Sequence, residues 1–166
     1  MSRFRVTPLP GELDRSLFQS GSAPLDRYLR EQATQDMRRR VAACFVALQD
    51  VQIAGYYTLA SASVLLNDLP ATVAKKLPRY PTVPAIRMGR LAVDQSFNGQ
   101  GLGAALLADA LHRSLESEIA AYALIVDAKD PSAAAFYQHH GFIPLPNASL
   151  QLFLPLATAK GLIGQP

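Results

Sequence analysis

The sequence predicts a single mixed α/β domain. One ground is the order of elements: apolar stretches of strand and helix period give an antiparallel half first, then a strand–helix–strand–helix half. A second is size. A chain of 166 residues buries about 70 % of its extended surface, enough for one good core and too little for two. The third is composition: 49 % hydrophobic and 17 % charged residues exclude a disordered chain.

Residues 3–10 read as a short strand stopped by Pro8 and Pro10. Residues 24–38 read as one amphipathic helix. Leu25, Tyr28, Leu29, Gln32 and Ala33 share a face, with Arg27, Arg30, Glu31 and Asp36 turned away. Residues 41–48 are an unbroken apolar run, as in a strand covered on both faces, and residues 53–65 follow across the polar break Gln49-Asp50 as a hairpin partner. Residues 67–84 form a proline-stiffened loop with a helical turn over 71–77. In the strand 85–94, Ile86 and Met88 are apolar on even numbers and Leu91 and Val93 on odd ones. Strand side chains alternate strictly, so the phase slips near Gly89, as at a β-bulge.

Residues 99–118 read as a buried helix, and residues 122–126 as a buried strand. Residues 131–140 read as a helix with Asp130 as N-cap, Pro131 in its first turn and Gly141 as its stop. Short strands over 142–145 and 150–156 close the sheet, and residues 157–166 are expected to fray.

Several classes of function are set aside by composition. Apolar runs such as 41–48 stop at eight residues, too short to cross a bilayer. The N-terminal residues lack an apolar signal core, and one cysteine excludes an internal disulfide, so a cytoplasmic location is expected. Sixteen Lys and Arg against thirteen Asp and Glu give a mild +3, which permits an anionic partner without demanding one. Cys44 reads as core, and His139 and His140 lack a third ligand, so no metal site is expected.

The strongest local signal is Arg90-Leu91-Ala92-Val93-Asp94, four residues, then Gly99-Gln100-Gly101-Leu102-Gly103 opening a helix. Alternate glycines at a helix start let backbone N–H groups approach a bulky anion, and the helix dipole adds to the attraction. Gly99, Gly101 and Ala104 also satisfy a loose dinucleotide pattern with Asp127 downstream. Such a turn follows its strand almost at once, however, and only 39 residues follow Asp127. No lysine follows the glycines as a nucleoside triphosphatase requires.

Asn98-Gly99-Gln100-Gly101-Leu102-Gly103 resembles the coenzyme A diphosphate motif of the GNAT superfamily of N-acetyltransferases, with Asn98 where that family carries Arg or Gln. Asp130-Pro131-Ser132-Ala133-Ala134-Ala135-Phe136-Tyr137, then Gly141-Phe142, is similar to a second motif of the same superfamily, with Asp130 in place of Asn. The resemblance implies a mixed, mostly antiparallel central sheet, splayed at the bulge and flanked by helices. It also implies acetyl-CoA as cofactor, held by Leu91, Ala92 and Val93, by Asn98, Gly99, Gln100, Gly101, Leu102 and Gly103, and by Asp130, Ala133 and Phe136. Tyr137 is implied as the acid that meets the departing thiolate. The chemistry agrees, since a phenol of pKa about 10 can protonate a thiolate whose thiol has pKa about 8.5.

A narrower resemblance covers about residues 5–156. Leu25-Asp26 with Leu29-Arg30-Glu31-Gln32-Ala33, Gly55-Tyr56-Tyr57-Thr58-Leu59, Leu77-Pro78-Arg79-Tyr80-Pro81, Gly89-Arg90-Leu91-Ala92-Val93-Asp94 and Val126-Asp127-Ala128-Lys129-Asp130 look like the acetyltransferase toxins of bacterial toxin–antitoxin pairs. That likeness implies transfer to the α-amine of aminoacyl-tRNA, inhibition of translation, a ribbon-helix-helix antitoxin and a homodimer. Candidate RNA contacts are Arg38, Arg39 and Arg40, Lys75, Lys76 and Arg79, and Arg87 and Arg90. Rival readings are transfer to a small-molecule or protein amine, and a non-catalytic coenzyme- or antitoxin-binding module.

Overall fold

The computed structural model describes residues 3–162. β1 (Arg5–Pro8) pairs antiparallel with β2 (Ala43–Gln49), and β2 with β3 (Gln52–Leu65). The β2–β3 hairpin turns at Asp50, whose φ of 55° is left-handed, and closes on the pair Gln49↔Gln52. Aspartate is among the few residues that tolerate that conformation. β2 begins two residues later than the apolar run suggests. The N–H groups of Val41 and Ala42 donate to the Asp36 carbonyl instead, at 3.0 and 3.5 Å, and Val41 is exposed.

The single helix expected over 24–38 is two: α1 (Ala23–Glu31) and α2 (Ala33–Arg38), interrupted at Gln32 with φ −123° and ψ −30°. Tyr28, Leu29 and Ala33 are buried as predicted, whereas Gln32 is exposed. Asp36, expected to face solvent, accepts from the Tyr28 hydroxyl at 2.8 Å and the Gln32 amide at 2.9 Å. A periodicity of apolar residues does not register such polar pairs.

α3 (Ala71–Ala74) is the helical turn of the proline loop, shorter than 71–77. β4 (Thr82–Val93) follows, then α4 (Leu102–Glu116), β5 (Ala123–Asp127), α5 (Pro131–His139), β6 (Ile143–Leu145) and β7 (Ala148–Pro155). The hydrogen-bonded strand order is β1-β2-β3-β4-β5-β7-β6. β4 and β5 are parallel, while β5–β7 and β6–β7 are antiparallel. This is the mixed sheet with flanking helices that the sequence implied.

The β4–β5 ladder runs from Ala85↔Ala123 to Met88↔Val126. Burial on β4 changes phase, from Val83 and Ala85 on odd numbers to Met88 and Ala92 on even ones. The slip expected across Gly89 is not seen, since Met88 and Ala92 keep one phase with Leu91 and Val93 half-buried; the change of phase falls before Met88.

The chain packs as two compact units, and β3 and β4 each run from one into the other. One unit holds the chain up to Ala60 together with Gly89–Ala110. Its core gathers Leu9, Phe18, Tyr28, Leu29, Val46 and Tyr56. Gly55 is needed there: an added Cβ would lie 2.8 Å from Leu106 and 2.9 Å from the Ala92 carbonyl oxygen. The other unit holds Ser61–Met88 and the chain from Leu111 onward, around Val64, Leu69, Val83, Ile125 and Phe153. The frayed tail expected from residue 157 is corrected over its first part. α6 (Leu156–Leu162) buries Leu156 and Ala159, apolar anchors that the two nearby glycines obscure in the sequence. Residues 163–166 lie outside the described residues.

Candidate active site

The glycine run sits where the sequence places it. At the end of β4 the carboxylate of Asp94 caps a 3₁₀ turn (Gln95–Phe97), accepting from the Ser96 N–H at 2.9 Å and its hydroxyl at 2.7 Å. It also accepts from the Gln19 N–H at 3.0 Å. Burial pushes the Asp94 carboxyl up, but these bonds outweigh it and hold the group below the ordinary carboxylate value. Asn98 then leads, extended and exposed, into Gly99 and Gly101, whose φ of 77° and 75° are left-handed. Only glycine takes that conformation cheaply. An added Cβ at either position meets nothing within 4 Å, so the outer face of the loop is open. The Gln100 side-chain oxygen accepts from Arg3 at 2.6 Å. Leu102 is buried and Gly103 half-buried in the first turn of α4, where the Ala105 N–H bonds the Gly101 carbonyl at 3.1 Å. The helix starts at Leu102, not Gly99, because the left-handed glycines cannot be helical. The N–H groups ahead of Ala105 have no intrahelical acceptor and present the positive end of the dipole.

On β4 of the same unit, Ala92 is buried and Leu91 and Val93 are half-buried. Arg90 lies with its guanidinium carbon 3.6 Å from the centre of the Tyr28 ring, a close cation–π contact. Burial first, then the hydrogen bond to Asp36, push the Tyr28 phenol up. The Gln32 and Tyr28 hydrogen bonds hold Asp36 down. Arg90 is thus positioned by an aromatic ring that a carboxylate holds in turn.

In the other unit, the Asp130 side chain caps α5 by accepting from the Ala133 N–H at 2.8 Å. Ala133 and Phe136 are half-buried, and Tyr137 is 4 % exposed. Its ring lies 5.3 Å from that of Phe136 and 5.6 Å from that of Phe142. The Phe142 N–H returns to the Tyr137 carbonyl at 3.1 Å, past Gly141 at φ 95°. Burial, and then the negative charge of Asp127, push the Tyr137 phenol above its ordinary value. Asp127 ends β5, ion-paired with Arg87 at 2.5 Å and accepting from the Gln151 amide at 3.0 Å.

The cations differ in their surroundings. Arg87 is committed to Asp127, and Arg90 to Tyr28. Arg38, Arg39 and Arg40 are exposed at the end of α2, and Lys75, Lys76 and Arg79 are exposed after α3. Cys44 is buried, which pushes its thiol up to about 12. His112 is exposed and meets Glu116 at 2.9 Å. The Arg87–Asp127 and Arg90–Tyr28–Asp36 groupings escape a reading of the sequence. Each joins residues on separate elements whose relative register no local spacing encodes.

A glycine loop of this form after a strand, with a capped helix carrying a buried tyrosine later in the chain, defines a class. The chain belongs to the GNAT acetyltransferases: the family described as "Acetyltransferase (GNAT) domain" matches residues 40–144. Within that class the chain is similar to several toxins. A "tRNA-acetylating toxin" of Mycobacterium tuberculosis (strain ATCC 25618 / H37Rv) is 39 % identical over 153 residues, 91 % of each chain. Among solved structures, a tyrosine-to-phenylalanine mutant of KacT aligns with a TM-score of 0.90 at 28 % identity, covering 97 % of this chain and 99 % of that one. AtaT complexed with acetyl-methionyl-tRNAfMet aligns with a TM-score of 0.86 at 30 % identity, again over 97 % and 99 %. A mutant AtaT toxin bound to the C-terminus of the antitoxin AtaR and acetyl-CoA gives 0.80 at 26 % identity, over 99 % and 100 %. Among the described residues, no helix is long and apolar enough to cross a membrane.

Proposed function

We propose that the protein transfers the acetyl group of acetyl-CoA to the α-amine of aminoacyl-tRNA, and so acts as a translation-blocking toxin. The observation that carries this reading is the 39 % identity, over nine-tenths of both chains, to a tRNA-acetylating toxin. The companions of that reading are a ribbon-helix-helix antitoxin, a homodimer, a cytoplasmic location and one acetyltransferase domain over 1–166. A family match running through 40–144 supports the last of these.

Acetyl-CoA supplies an acetyl group activated as a thioester. The open face at Gly99 and Gly101 and the N–H groups at the start of α4 suit a diphosphate. Asn98, Gln100, Leu102 and Gly103 belong to the same cradle, and the backbone of Leu91, Ala92 and Val93 is assigned to the pantetheine arm. Asp130, by capping α5, and Ala133 and Phe136 on that helix complete the coenzyme contacts. Arg90 and Arg87 are assigned to the substrate side, with Arg38, Arg39, Arg40, Lys75, Lys76 and Arg79 as phosphate contacts.

Tyr137 supplies the proton. A buried phenol with a raised pKa is fully protonated near neutral pH, so the acid is present in every molecule. The same burial makes it a weaker acid. With the thioester bound beside it, Tyr137 would give its proton to the departing sulfur and regain one from the amine as the amide forms. The acceptor needs less help: an α-amine has a pKa of about 8, against about 10.4 for lysine, so an appreciable fraction is already neutral.

Induction in a bacterial host tests the reading. Expression of the wild type is expected to arrest growth and translation. Tyr137→Phe is expected not to, and co-expression of an adjacent ribbon-helix-helix frame should restore growth. Equal arrest by wild type and Tyr137→Phe would remove Tyr137 from the chemistry.

A further inference from the structure

The segment after α3 carries an aromatic ring that the fold does not use. Tyr80 is 69 % exposed, although tyrosine usually buries its ring. Its surroundings are unusually well pinned. Leu77, just before it, packs against the core of its own unit, and the Leu77 N–H bonds the Ala74 carbonyl at 3.1 Å. Just after it, the Pro81 carbonyl accepts from the Leu66 N–H at 3.0 Å. Between these anchors stand Pro78, Arg79 and Tyr80, all exposed, with Lys75 and Lys76 exposed beside them. Two prolines in the segment restrict the backbone, so little entropy remains to be lost when a ligand settles on the ring.

We propose that Tyr80 is a stacking platform for an unpaired base of the RNA substrate, with Lys75, Lys76 and Arg79 holding the adjoining phosphates. This deepens the aminoacyl-tRNA reading and rests on it. An unpaired strand offers what such a surface binds: flat bases and a charge on every linkage. An acidic protein segment would use the three cations and leave the ring without a role. The placement is consistent with an extended acceptor end. From Arg87, ion-paired with Asp127, β4 runs back five residues to Thr82, about 17 Å at roughly 3.3 Å per residue. The platform begins two residues beyond, a span that a few unstacked nucleotides cover.

Steady-state acetylation of aminoacyl-tRNA by the full chain, with labelled acetyl-CoA, tests this. Tyr80→Ala is expected to raise KM for the charged tRNA about tenfold with kcat retained, as loss of one stacked base implies. Tyr80→Phe, which keeps the ring, is expected to match the wild type. The Tyr80→Ala defect should be similar at low and high salt. Replacing Lys75, Lys76 and Arg79 by glutamine should instead flatten the salt dependence, because only phosphate contacts release counterions. An unchanged KM in Tyr80→Ala while the wild type still labels the aminoacyl end would overturn the platform and leave the substrate reading intact. So would a defect confined to antitoxin binding, which would reassign the surface to a protein. No label on the aminoacyl end with wild-type enzyme would remove the substrate reading, and the platform with it.

Discussion

Tyr137 keeps its proton because burial, among the Phe136 and Phe142 rings, and then the carboxylate of Asp127 make ionisation costly. An acid tuned in this way has a predictable pH signature. The rate of transfer is expected to hold through pH 10, where an ordinary phenol is half ionised. Asp127→Asn removes the negative charge, so the phenol ionises more readily and the alkaline fall moves toward pH 10. Tyr137→Phe is expected to lower kcat by about 10²- to 10⁴-fold, the usual worth of a positioned proton donor, with acetyl-CoA affinity nearly unchanged by calorimetry. Equal losses in kcat and affinity would make the residue structural. The Arg90 guanidinium is fixed over Tyr28, and Tyr28 by Asp36, so a cation on a strand is aimed by a carboxylate on a helix.

The glycine loop takes its shape from its own residues. Gly99 and Gly101 are left-handed and open outward, so a side chain there costs backbone strain and covers the face assigned to the diphosphate. Gly101→Ala is expected to lose about 1–2 kcal/mol of stability, the cost of a left-handed L-residue, and to weaken acetyl-CoA binding at least tenfold by titration. Retained affinity would move the diphosphate elsewhere. This loop was legible in the sequence because glycine spacing is itself the conformational signal. The capped start of α5 was legible for the same reason, through Asp130 and Pro131. What stayed hidden was set by contacts distant in sequence. The interruption at Gln32 accompanies a Tyr28–Asp36 bond that apolar periodicity does not count. The start of β2 is delayed by N–H groups returning to Asp36. α6 is anchored by Leu156 and Ala159 inside a stretch whose glycines suggested disorder.

Across the whole molecule, the shifted ionisable groups bracket neutral pH. Asp94 and Asp36 are held below 3.8. Their contribution to stability is fully present above that value and is lost as pH falls through their folded-state values. Cys44, Tyr28, Tyr56 and Tyr137 are raised, from 9.0 for the thiol and 10.0 for the phenols. Their neutral forms are favoured in the fold, so their contribution is present below pH 9 and declines as pH rises through the folded values. Melting temperature is expected to form a plateau from about pH 5 to 9, with Asp94→Asn shallowing the acid edge. A maximum confined to one side of neutrality would contradict this balance. Among these groups, Tyr137 alone is assigned to the chemistry.

As proposed, this chain places an acetyl group on the amine of an aminoacyl-tRNA. Incubation of the purified protein with charged tRNA and labelled acetyl-CoA, followed by nuclease digestion, measures it directly. Label is expected on the α-amine of the amino acid at the tRNA 3′ end. Label on a lysine or a small amine, with the aminoacyl end unmodified, would contradict it.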